Sequence, residues 1–128
     1  MDNLVKTDLM NIWKENDIVF AEFITHKINL KIAKELVEFR LNYTNHQDSL
    51  LYIDASKVKI IDKGARDHFG SSEGTKNIKA AAIFTNSVLT SFLANFLLSV
   101  NLTRIKSKIK LFNSKEKAIT WLNQYNEK

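Results

Sequence analysis

The 128-residue chain contains no cysteine, no proline and only three glycines. Without cysteine there is no disulfide, thiolate metal site or cysteine nucleophile, and the composition fits a reducing compartment. Without proline, element boundaries must be read from Gly, Asn, Asp and Ser. There is no glycine-rich phosphate loop and no His-Glu-x-x-His pair. Long apolar runs are also missing. The most apolar stretch, 88–100, is interrupted by Thr90, Ser91, Asn95 and Ser99, and a membrane span needs about 20 apolar residues. The opening, Met1 to Asp8, carries no apolar run of the signal-peptide kind. A cytoplasmic protein with no membrane span is expected.

What is present suits one domain over 1–128. The hydrophobic fraction is 45%, ordinary for a chain that buries a core. The formal charge of +5 permits an acidic partner, but the lysines are scattered rather than massed.

Leu9 to Lys14 and Ile18 to Ile24 read as strands, with Asn16-Asp17 as a two-residue turn because both residues tolerate the left-handed conformation. The second strand is apolar on both faces and belongs in the sheet interior. Asn29 caps a helix whose buried stripe is Ile32, Leu36, Phe39 and Tyr43 with Ala33 and Val37, while Lys31, Lys34, Glu35, Glu38 and Arg40 lie off it. Leu50 to Ile53 is a short buried strand that stops at Asp54. A polar loop leads to Asp62, a good N-cap, and to a short helix with Ala65 and Phe69 inward. Gly70 or Gly74 would end that helix in the left-handed cap conformation.

Ile78 to Thr85 is the next strand, with Ala80, Ala81 and Ala82 small enough for a closely packed helix. A helix over 88–102 follows, with more apolar surface than one stripe needs. Lys108 to Phe112 is a last strand, and Ser114 caps a last helix with Ala118, Ile119, Trp121, Leu122 and Tyr125 inward. The alternation predicts an α/β fold: an N-terminal hairpin, then parallel strands, in a mixed sheet of about five strands with four helices.

The candidate chemistry is sparse. His26, His46 and His68 have no partners at metal-ligand spacing, so no metal, cofactor or catalytic residue is assigned. Asp54 and Asp62 would suit an acid–base pair, but a strand-end hydrogen-bonder and a helix cap explain them more simply. Ser56, Ser71, Ser72 and Ser87 sit in loops near helix starts, where capping and turn formation account for them. Arg104, Lys106, Lys108 and Lys110 alternate with Ile105, Ser107 and Ile109 along the approach to the last strand. That row reads as protection of a sheet edge rather than as phosphate contacts, since no aromatics interleave.

Asp54, Ser56, Val58, Ile61 and Asp62, at the end of an apolar strand, resemble in order the signature of STAS domains, the anti-sigma-factor antagonist family. Members regulated by phosphorylation carry a Ser after the second Asp or one residue further on. Here Lys63 and Gly64 stand there, and Ala65 stands where the family's Gly would fall. The Ala65-Arg66 helix opening and the stretch Lys117 to Leu122 resemble an uncharacterised bacterial branch of that superfamily.

The resemblance implies a non-catalytic regulatory module that presents its central loop and following helix to a protein partner. Carried over by position, that surface is Asp54, Ser56, Asp62, Lys63, Gly64 and Arg66, with Asn86 and Ser87 from the next strand end. No phosphorylation is expected at the turn occupied by Lys63, which is placed instead to hold an anion. The apolar 88–102 helix offers a homodimer face. Two alternatives stand beside this reading: a small-molecule or lipid-binding module using that helix, and a weak electrostatic nucleic-acid binder.

Overall fold

The computed structural model describes residues 2–86 and 108–126. The N-terminal strands are β1 (Asp2–Lys6), β2 (Met10–Glu15) and β3 (Ile18–Phe23). The two-residue strand β4 (Lys27–Ile28) leads into helix α1 (Leu30–Tyr43), and β5 (Ser49–Asp54) follows. The two-residue strand β6 (Ile60–Ile61) then precedes α2 (Lys63–Phe69) and β7 (Ile78–Phe84). The described chain closes with β8 (Ile109–Phe112) and α3 (Lys115–Asn123).

The main sheet has six strands in the order β1-β2-β3-β5-β7-β8. The first three are antiparallel, and β3, β5, β7 and β8 run parallel. The hairpin turn is as the sequence requires: Asn16 and Asp17 have φ of 51° and 66°, joining Glu15 to its partner Ile18. Interior positions for β3 and β5 follow from their two-faced apolar pattern. Val19, Ala21 and Leu51 join the core on one side, and Ile18, Phe20, Leu50 and Tyr52 join the core on the other.

The first core packs under α1 and α2, the second under α3. Ala80 and Ala82 lie in the second core with Ala118 and Leu122, all four buried. Their small side chains let α3 approach the sheet, and burying a Leu such as Leu122 is worth about 1.5–3 kcal/mol.

Four expectations change. The sheet has six strands rather than about five. β1 was not foreseen, because its exposed Asn3-Leu4-Val5-Lys6 stretch has no buried face to impose a period. It is an edge strand kinked by a bulge between Asp2 and Val5, with Asn3 at φ 57°, a device that discourages edge pairing. Second, the described residues form three helices rather than four; the fourth, over 88–102, lies outside them, as do its homodimer face, Ser87, Arg104 and Lys106.

Third, Arg40 is not off the buried stripe of α1 but inside it, only 7% exposed. Its Nη1 donates to the Lys76 carbonyl at 2.6 Å and its Nη2 to the Gly74 carbonyl at 3.0 Å. A planar fork that satisfies two carbonyls makes the buried charge tolerable. Burial pulls its pKa down to about 10, against the opposing field of Glu73. Fourth, neither Gly70 nor Gly74 adopts a left-handed cap. Gly70 closes α2 at φ −86°, and no described glycine has positive φ. Gly74 is needed for space: a Cβ there would overlap the His68 carbonyl oxygen and lie 2.7 Å from that of Phe69.

Candidate functional site

The carboxyl ends of β3, β5 and β7 meet at one end of the sheet, the end where open α/β folds bind their ligands. Asp54 is the last residue of β5 and is half-buried. Its Oδ1 accepts from the backbone N–H of Ser56 at 2.9 Å and from the Ser56 hydroxyl at 2.6 Å. This is an Asx-type turn, which Asp favours because its short side chain reaches two residues on. Asn86, just beyond β7, donates its Nδ2 to the Ser56 carbonyl at 2.6 Å and to the Val58 carbonyl at 3.4 Å. Asp54, Ser56 and Asn86 are therefore brought together.

A second fastening comes from the β3–α1 connection. The His26 carbonyl accepts from the Lys59 and Ile60 N–H groups at 2.8 and 3.2 Å. His26 Nδ1 lies 2.9 Å from the Lys57 carbonyl. β4 and β6 then pair in parallel, with Lys27 opposite Ile60 and Ile28 opposite Ile61. Ile28, Val58 and Ile61 plug this ribbon into the first core. Sequence reasoning missed the role of His26. A two-residue strand is below any periodic signal, and only the apolar Ile28 and Ile61 hint at it.

The remaining candidates fall on α2. Asp62 caps it, with Oδ1 accepting from the Ala65 N–H at 2.9 Å. The Asp62 carboxylate is thus engaged through Oδ1 with its own helix, and Asp54 through Oδ1 with its own loop. Lys63 Nζ pairs with Asp67 Oδ2 at 2.8 Å, one turn on and exposed. Gly64 sits where α2 crosses the start of α1: a Cβ there would lie 3.3 Å from Leu30 Cβ. Arg66 is half-buried on the same helix.

Behind the rim, Tyr52 of β5 is buried in the second core, and its phenol is pushed up to about 12 by that burial and then by the charge of Asp54. Two hollows lie elsewhere. A polar cleft of about 640 Å³ opens at the opposite end of the sheet, among Lys14, Asp17, Tyr43, Asp48 and Lys79. An apolar cavity of about 100 Å³ lies between the sheet and α1 and α2. Lys108 and Lys110 are exposed at the β8 edge. Among the described residues no group of His, Asp and Glu is placed to hold a metal, and no helix is long and apolar enough to cross a membrane.

This architecture is a STAS-like, SpoIIAA-like α/β fold. It is similar to an uncharacterised protein of the DUF3478 family with a SpoIIAA-like fold from Shewanella loihica. The two share 16% identity and a TM-score of 0.61, over 92% of this chain and 98% of that one. It is also similar to part of the murine solute carrier 26 family member A9 anion transporter. There the identity is 12% and the TM-score 0.62, over 88% of this chain, which spans only 18% of the transporter. No curated protein matches the chain. The chain belongs to the family described as Domain of unknown function (DUF7793), which matches residues 12–126.

Proposed function

We propose that residues 1–128 form a single non-catalytic regulatory module that recognises a protein partner through the rim at the carboxyl end of the sheet. The recognition surface is Asp54, Ser56, Asp62, Lys63, Gly64, Arg66 and Asn86, with Ser87 adjoining in sequence. The observation that carries this reading is the latch of Asp54 on Ser56 and of Asn86 on the same loop. It fixes the outline of a loop at the end of the sheet where such folds bind. A preorganised loop loses little entropy on binding. The occupation of Asp54 and Asp62 by structural bonds favours recognition over catalysis.

The resemblance to anti-sigma-factor antagonists supports a regulatory role. With Lys63 in the place of the usual hydroxyl and paired to Asp67, recognition here is not gated by phosphate at that turn. The test is affinity capture from the native cell, comparing wild type with Asp54→Ala and Lys63→Glu. A partner retained by wild type and lost from Asp54→Ala supports the reading; a partner set unchanged in both variants would overturn it.

A further inference from the structure

Four large apolar side chains are exposed among the described residues. Leu4 and Val5 lie on the β1 edge, and Leu30 and Ile60 lie beside the rim. Ile60 is the most exposed, at 53%. Its neighbour Ile61 is buried and turns Ile60 outward, in register with exposed Lys27. Gly64, lacking a side chain, leaves Leu30 uncovered where the two helices touch. A singly exposed isoleucine is ordinary, but this one stands among cations.

Residues 25–31 and 55–64 carry Lys27, Lys31, Lys57, Lys59 and Lys63, all exposed, against the one carboxylate of Asp62, a formal charge of +4. Lys57 is 3.5 Å from Glu22 and Lys63 pairs with Asp67. Lys27, Lys31 and Lys59 have no ion-pair partner among the described residues. The Asp62 carboxylate is turned to its helix cap. The positive end of the α1 dipole adds to this field.

We infer that this patch receives an acidic amphipathic segment of the protein partner. An apolar side chain of the segment covers Ile60 and Leu30, and its carboxylates meet Lys27, Lys31 and Lys59. The inference rests on the recognition function proposed above and adds the chemistry of the partner. Apolar contact supplies an anchor that excludes water, and the flanking charges supply orientation and speed of encounter.

The probe is a 16-residue helical peptide with leucines on one face and glutamates flanking them, against a twin with lysine in place of glutamate. Both are titrated into the full chain by fluorescence anisotropy and followed by amide chemical shifts. The acidic peptide should shift the amides of Lys27, Lys31, Lys59 and Ile60. Ile60→Ser and Lys59→Glu should each weaken it about tenfold, Val5→Ser should not, and added salt should weaken it. Equal binding of the lysine twin, or unaltered affinity in Ile60→Ser, would overturn the inference. Binding of this patch to phosphatidylglycerol vesicles or duplex DNA without binding the acidic peptide would overturn it too, in favour of a lipid surface or a nucleic acid. A native partner lost from Asp54→Ala but kept by Ile60→Ser and Lys59→Glu refutes the acidic segment and leaves the rim standing. A partner indifferent to these three and to Lys63→Glu refutes both.

Discussion

The Ser56 hydroxyl donates to Asp54 Oδ1 at 2.6 Å while the Ser56 amide donates to the same oxygen at 2.9 Å. One carboxylate oxygen thus holds both hydrogen-bond donors of one residue. Ser56→Ala removes the hydroxyl and spares the amide, and should cost about 1 kcal/mol. Ser56→Glu sets a second carboxylate against the first and should cost more. Thermal unfolding checks the order, and a cycle with Asp54→Ala should show coupling of at least about 0.5 kcal/mol. Additive effects would mean that the hydroxyl bond contributes nothing.

Two glycines should respond unequally to alanine. At Gly74 the new methyl meets backbone oxygens of His68 and Phe69, which cannot swing aside, so a loss of about 3 kcal/mol is expected. At Gly64 the methyl meets Leu30 Cβ at 3.3 Å, and a shift of that partly exposed side chain is opposed by the gain of about 1 kcal/mol in helix propensity. Gly64→Ala should leave stability within about 1 kcal/mol of wild type. Urea unfolding of the pair decides it.

Tyr52 supplies a pH dependence. Its folded pKa is raised from 10.0 to about 12, so the unfolded chain releases the phenolic proton first as pH rises. The stabilisation is whole below pH 10 and is lost as pH climbs towards 12. Tyr52→Phe should flatten the fall of stability over that window relative to wild type. Ultraviolet titration of the folded protein should show one phenol ionising about two units late, and Asp54→Asn should bring it earlier. Equal slopes in wild type and Tyr52→Phe would count against the burial of this hydroxyl.

Much of the fold was legible because the period of the apolar residues carried it. The two-faced Ile18 to Ile24 and Leu50 to Ile53 runs fall on interior strands, the Asn16-Asp17 pair turns the hairpin, and Asn29, Asp62 and Ser114 each cap the helix they precede. Local chemistry is enough for such features. The misses need tertiary knowledge. Arg40 looks like a surface cation until Gly74 and Lys76 turn two carbonyls towards it. β1 acquires strand geometry only by pairing with β2. At the rim, Asp54, Ser56 and Asn86 could be grouped from strand ends alone. The clasp through His26 could not, because its carbonyl bonds involve no distinctive side chain.

That clasp separates side-chain identity from the course of the backbone. The path of residues 57–60 is drawn by main-chain bonds from His26 and by the Asn86 amide reaching main-chain carbonyls, while Lys57, Lys59 and Ile60 point to solvent. Those three identities are thus decoupled from the contour that displays them. Exchanging any of the three should therefore leave the course of the backbone unchanged.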